Sequence, residues 1–237
     1  YAEQNKNVLR WGSDANSGAP FVFRDPANPN QIIGSDADIA EAIAEELGLK
    51  SEFVQNTWEG LIPGLNAKNY DVVLDGLEIV NERKQSIAFS MPYYVTYEQI
   101  VVRKDNHTIK KLSDLVGKKV GTLPASLAQK VLKGLSDVNI KYYPEEVNAF
   151  NDLATGNRID AVVIDDVIAK YYAAPNPNLK LLNIPIGKML YGVGIRKDGT
   201  LLQEKINVAI SHLIENGKLK LILEKWGLWN RSTAEIF

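Results

Sequence analysis

The sequence has no cysteine. Neither a disulfide nor a thiolate is available, so compartment cannot be read from redox logic. Only two histidines are present, His107 in a polar stretch and His212 in a helical pattern, which makes a zinc site improbable. Basic excess is also missing: 27 Lys and Arg stand against 29 Asp and Glu, for a net charge of −2 and a pI near 5.8. Such a chain cannot neutralise a phosphate backbone, and nucleic acid is not an expected partner. The apolar runs are far too short to cross a bilayer. Residue 1 is tyrosine rather than methionine, which raises the expectation of a removed leader.

What is present is ordinary for a globular chain: 237 residues, 45% hydrophobic and 24% charged. This is enough to bury a core without covalent staples, as one large domain or two modest ones.

Strands and helices alternate along the chain. Residues 8–13 read as a strand, 12–20 as a polar loop of small residues, and 21–34 as a hairpin around Asp25-Pro26-Ala27-Asn28-Pro29-Asn30. Ile39, Ile43 and Leu47 recur every four residues, predicting a helix over 36–47 that Gly48 closes. A strand over 51–54, a short helix over 61–68 and a strand over 71–77 follow. A second series begins with a strand over 118–122, a helix over 126–135, and strands near 138–142 and 160–164. Strands separated by helices argue for parallel pairing, hence two α/β lobes. The runs 94–104 and 191–197 are the expected crossings, giving a first lobe of 1–94 plus 191–237 and a second of 95–190. The stretch 201–226 reads as helical, with one apolar face on Ile206, Ile210, Leu213 and Ile214 and another after Gly217.

Several segments, in order, resemble one known family. They are Gly12-Ser13-Asp14 with Ala19-Pro20-Phe21, then Gly34-Ser35-Asp36-Ala37-Asp38-Ile39-Ala40, then Trp58-Glu59-Gly60-Leu61-Ile62-Pro63. Glu82-Arg83-Lys84, Phe89-Ser90, Pro92-Tyr93-Tyr94, Gly156-Asn157-Arg158-Ile159-Asp160-Ala161 and Asp165 continue the series. By these motifs the chain resembles the polar amino-acid family of ABC-transporter solute-binding proteins, family 3. The resemblance implies an α/β, two-lobed periplasmic-binding-protein-like fold of type II. Each lobe would hold a mixed, mostly parallel sheet flanked by helices, and two hinge crossings would let the lobes close on a ligand in the cleft. It further implies an amino-acid ligand, a membrane permease as partner, a monomer, an extracytoplasmic location (secreted, lipid-anchored or permease-fused), no cofactor and no catalysis. The ending Lys225-Trp226-Gly227-Leu228-Trp229-Asn230 is similar to a branch in which such domains are sometimes fused to the permease.

The resemblance assigns roles to particular residues, and each has a plainer reading beside it. Arg83 would fork onto the ligand α-carboxylate, which suits a guanidinium's paired donors; otherwise it is a surface arginine opening a helix. Asp165 would take the α-ammonium; otherwise it is a loop carboxylate or the cap of the next helix, with Asp166 competing for either role. Ser126 would help present helix N–H groups to a carboxylate, and with Gln129 it also reads as a capping box. Trp58 would wall the ligand or sit in the core beside Leu61 and Ile62. Asp14 would reach the ligand side chain or bond its own turn. Ser17, Asp75, Gly76 and Leu123 complete the candidate set.

Three departures from the family pattern stand out. Glu78 replaces a hydroxyl residue, so it either pairs with Arg83 or meets a cationic ligand group, because carboxylate beside carboxylate repels. Ser17-Gly18 stand where an aromatic is common. Ser35 replaces a large apolar residue and is expected to cap the next helix with Asp38. Counting Asp14, Asp75, Glu78 and Asp165 against Arg83 leaves a negative surplus, reduced if Asp75 faces away, and this favours a basic ligand among polar amino acids. Two rivals share the fold: an enzyme similar to cyclohexadienyl dehydratases, with Glu78 recruited as an acid, and the ligand-binding module of a sensor or fused permease.

Overall fold

The computed structural model describes residues 7–16 and 18–237. Ser17 lies outside the described residues. The chain forms two compact units, one made of residues up to Val95 together with Leu190–Phe237, the other of Thr96–Met189.

Unit 1 begins with β1 (Val8–Ser13), a short hairpin of β2 (Phe23–Arg24) against β3 (Ile32–Ile33), and α1 (Ser35–Glu46). Next come β4 (Lys50–Gln55), a 3-10 turn at Trp58–Gly60, α2 (Leu61–Asn66), β5 (Val72–Val73), α3 (Asn81–Lys84) and β6 (Ala88–Phe89). Helix α1 forms where the four-residue spacing points. Ile39 and Ile43 are fully buried, Ala40, Ala42 and Ala44 are buried beside them, and Gly48 at φ +67° ends the helix. Burying each isoleucine contributes roughly 1.5–3 kcal/mol.

The chain leaves unit 1 within β7 (Tyr94–Arg103), so the expected crossing at 94–104 is a strand of the second sheet for most of its length. Unit 2 continues with β8 (Lys119–Thr122), α4 (Leu127–Lys133), β9 (Asn139–Tyr142), α5 (Glu146–Thr155), β10 (Ala161–Asp165), α6 (Asp166–Tyr172) and β11 (Leu179–Leu181). Strand β12 (Ile186–Tyr191) carries the chain back to unit 1, where β13 (Gly194–Ile195), α7 (Thr200–Glu215), α8 (Lys218–Lys225) and α9 (Arg231–Ala234) follow.

Both sheets are mixed. In unit 1 the order is β4-β1-β5-β13-β6, with β1 parallel to β4 and β5, and β13 antiparallel to β5 and β6. In the second sheet the order is β11-β7-β10-β8-β9, with β12 also on β7. Here β8 runs parallel to β9 and β10, while β7 is antiparallel to β10 and β11. One core of unit 1 gathers Leu61, Leu65, Tyr70, Val73, Leu77, Ile87 and Phe89. That of unit 2 gathers Ile100, Val102, Val120, Leu132, Ala161 and Val163 with their neighbours. Gly12 is required in β1 by close approach, since a Cβ there would sit 2.4 Å from the Tyr70 ring.

Several expected elements change. The strand expected over 71–77 is paired only at Val72–Val73, because Gly76 turns the chain at φ +58°. The helix expected over 61–68 stops at Asn66, and Lys68 adopts φ +64°. The expectation for Ser35 is corrected: Gly34 is the N-cap residue, no side chain caps α1, and Ser35 is fully buried in its first turn. Asp38 instead accepts from Lys225 Nζ at 2.6 Å and Trp226 Nε1 at 2.7 Å. The stretch 201–226 divides into α7 and α8 at Gly217, which takes φ +76°.

Candidate functional site

The unit 1 candidates gather at the end of β1 and along the segment after β5. Asp14 follows β1 directly and is buried. Its Oδ2 accepts from the Trp58 N–H at 3.0 Å, and its Oδ1 accepts from Gln55 Nε2 at 3.0 Å and the Asn16 N–H at 3.1 Å. The last of these is the turn bond that the plainer reading of Asp14 describes. Asp14 therefore ties three segments together.

Asp75 also turns inward. Its Oδ1 accepts from Ser13 Oγ at 2.7 Å and its Oδ2 from the Asp14 N–H at 3.3 Å. Burial raises its pKa well above the usual carboxylate value. The Ser13 bond opposes this, and the charges of Asp36 and Asp14 add to it. The Gly76 N–H is committed to Asp36 Oδ2 at 2.7 Å. Asp36 is 1% exposed, and the same oxygen accepts from the Tyr93 hydroxyl at 2.8 Å. Burial lifts Asp36 to about 6, against the lowering effect of its two donors.

Two residues further on, Glu78 meets Arg83. The arginine Nη1 donates to the Glu78 carbonyl at 3.1 Å and to the Glu78 carboxylate. Both side chains are well shielded, at 7% and 10% exposed for Glu78 and Arg83. The Arg83 guanidinium carbon lies 5.2 Å from the centroid of the Trp58 ring, within cation–π range. Trp58 is half-buried and also packs on the core of Leu61 and Leu65, so its wall and core readings coexist. The pair with Arg83, one of the two alternatives for Glu78, is present. Arg83 lies on the four-residue α3 but points its guanidinium back toward the Glu78 segment.

In unit 2, Ser126 is the N-cap of α4, and its Oγ accepts from the Gln129 N–H at 3.2 Å. The reciprocal bond shifts by one residue: Gln129 Oε1 accepts from the Ala125 N–H at 2.8 Å. Ser126 Oγ also donates to the Leu123 carbonyl at 2.8 Å, which fixes the loop between β8 and α4. Within that loop Ala125 holds φ +55°, a conformation that costs a residue with a Cβ. Thr122, just before the loop, is buried, and its Oγ1 makes no hydrogen bond among the described residues.

Asp165 ends β10 and caps α6, its Oδ1 accepting from the Val167 N–H at 2.7 Å and facing Thr96 Oγ1 at 3.4 Å. The cap reading is thus realised. Asp166, the competitor, is occupied elsewhere: it pairs with Lys170 at 2.5 Å and accepts from Gln99 Nε2 at 3.2 Å.

Sequence reasoning missed three participants. Tyr93 and Asp36 were visible only as pieces of motifs, and their mutual bond has no local signature. Glu98 was overlooked because it lies in an apolar strand; antiparallel pairing sets it directly opposite Asp165, where it is 1% exposed. Among the described residues, no cluster of three or more His, Cys, Asp or Glu is arranged to hold a metal ion, and no helix is long and apolar enough to cross a membrane. Chemically, the unit 1 wall offers a guanidinium backed by an aromatic face, and Asp165 offers a carboxylate. The first suits an anionic group and the second a cationic one.

Comparison with known proteins extends this picture. The family model of bacterial extracellular solute-binding proteins, family 3, matches residues 9–228. The arginine-binding extracellular protein ArtP of Bacillus subtilis (strain 168) is 32% identical over 231 residues, 95% of this chain and 88% of that relative. The solved structure of an ancestral arginine-binding protein bound to glutamine is 37% identical with a TM-score of 0.88, covering 95% of this chain and 100% of that one. The ancestral amino acid-binding protein AncCDT-1, a precursor of cyclohexadienyl dehydratase, is 34% identical with a TM-score of 0.85, covering 93% of this chain and 95% of that one.

Proposed function

The chain belongs to the bacterial extracellular solute-binding proteins of family 3, and from that membership we propose that it is the extracytoplasmic receptor of an ABC importer for a polar amino acid or amino-acid-like solute. Its two α/β units with mixed sheets agree with the type II periplasmic-binding-protein architecture of its structural neighbours. Two of the proteins named above are an arginine-binding protein and an ancestral arginine-binding protein bound to glutamine, which supports a polar and preferentially basic ligand here.

The observation that carries the reading is the Arg83 guanidinium held over the Trp58 ring. A planar cation fixed on an aromatic face is preorganised for a carboxylate. Arg83 is the group offered to a carboxylate or amide of the ligand, and Asp165 the group offered to its ammonium. Asp165 has one oxygen committed to the Val167 N–H, which orients the carboxylate as well as capping α6. Ser126, Leu123 and Gly76 shape the surroundings through the loops they hold. Asp14 and Asp75 act one step back, by positioning Trp58 and the 75–78 segment.

The receptor binds and releases its solute unchanged and delivers it, as a monomer, to a membrane permease. The neighbour that precedes a dehydratase shows that the fold can also host catalysis, so ligand recovery belongs in the test. Isothermal titration with the common L-amino acids should give a saturable one-to-one isotherm for at least one of them, with the ligand recovered intact by chromatography. Absence of heat and of any melting shift across the whole set would overturn the receptor reading, and turnover of the ligand would replace it with the enzymatic one.

A further inference from the structure

Arg83 already has an anion. The Glu78 carboxylate lies on it, and the Glu78 carbonyl accepts from the same Nη1 at 3.1 Å. The pair is shielded from solvent, so the attraction is screened less than it would be on a surface. A second carboxylate brought to this guanidinium would share one cation with Glu78 in a poorly solvated place, and like charges at that range repel. A neutral group, or a ligand without a carboxylate, meets no such competitor.

We propose that Glu78 is a specificity-determining residue: it holds Arg83 with the chain's own carboxylate, so that a ligand's free carboxylate must displace it while an amide or a carboxylate-free amine need not. The inference rests on the receptor reading and on Arg83 lying at the ligand. It narrows the favoured solutes to cationic amino-acid derivatives whose carboxylate is masked or absent. Specificity here comes from a built-in repulsive element rather than from an added attractive one.

The test compares L-arginine with L-argininamide, which differ only at the carboxylate. Titrations are run on the wild type, Glu78→Gln and Glu78→Ser, at a pH that keeps the amide's amine protonated. The wild type should bind the amide at least as tightly as the free acid. Both substitutions should raise the affinity ratio of arginine to argininamide by about tenfold or more, since the competing charge is gone. Melting curves establish that each variant is folded, and either variant alone suffices if the other is not. A ratio that stays within about twofold of wild type, with both ligands bound, overturns this inference and leaves the receptor reading standing. Failure of folded wild type and variants to bind either compound overturns this inference, which requires a cationic ligand, and leaves the receptor reading to the titrations with the full set of amino acids.

Discussion

Asp36 and Tyr93 are joined by a 2.8 Å hydrogen bond in the interior of unit 1, and the Gly76 amide donates to the same Asp36 oxygen at 2.7 Å. One carboxylate thereby fixes the start of α1, the entry to β7 and the turn that precedes Glu78. The other oxygen, Oδ1, is buried and makes no hydrogen bond among the described residues, so ionising this group inside the fold is expensive.

The consequence is a pH-dependent stability. Burial raises the folded pKa of Asp36 from 3.8 to about 6. A raised folded pKa means that the native state binds the proton more tightly than the unfolded chain does. The associated stability is complete below about pH 4 and is lost as pH rises through 6, an amount on the order of 3 kcal/mol. Asp75, raised for the same first reason, acts in the same direction. Asp36→Asn keeps an acceptor for Gly76 and Tyr93 and cannot ionise. Urea unfolding from pH 4 to pH 8 should show the wild type losing stability relative to this variant as pH rises. Parallel curves would refute the assignment.

Asp165 is both a helix cap and the proposed ammonium anchor, and the two roles separate by substitution. Asp165→Ser retains a capping oxygen and should leave the melting temperature close to wild type. Asp165→Ala loses the cap and should cost about 1 kcal/mol of stability. Both should weaken amino-acid binding by about 2–5 kcal/mol, because the ligand ammonium loses its partner. Native-like calorimetric affinity in Asp165→Ser would remove Asp165 from the site.

Arg83→Ala should also weaken binding of a carboxylate-bearing ligand, and it leaves Glu78 as a shielded acid without its guanidinium. The protein should therefore lose stability as well, by about 1–3 kcal/mol. Arg83→Ala combined with Glu78→Gln should recover much of that stability and none of the affinity for a free carboxylate. Denaturation and titration of the same three proteins check both halves, and recovery of carboxylate affinity in the double variant would exclude Arg83 as its anchor.

Ala125 is a local strain with a simple remedy. Its φ of +55° lies in the left-handed region that a Cβ disfavours by roughly 1–2 kcal/mol. Ala125→Gly should stabilise unit 2 by somewhat less, about 0.5–1 kcal/mol, since glycine also gains freedom in the unfolded chain. A urea midpoint that fails to rise would mean that the loop relaxes around the alanine at no cost.

Local chemistry determined much of this protein. The strand at Val8–Ser13, helix α1 and its Gly48 stop, and the cap at Ser126 follow from side-chain period, capping oxygens and the freedom of glycine, which neighbours in the chain suffice to specify. The ordered motifs from Gly12 to Asp165 likewise carried the family. Tertiary structure alone decided which charges meet. Ser13 turns Asp75 inward across 62 residues, antiparallel pairing of β7 with β10 sets Glu98 against Asp165, and Tyr93 reaches Asp36 across 57. Glu78 and Arg83 are only five apart, yet no regular helical or strand spacing joins them; the bond forms where Arg83 on α3 reaches back to Glu78. A side chain's type limits what it can bond, but its partner depends on which distant segments the buried core draws together and on how little water remains there to compete.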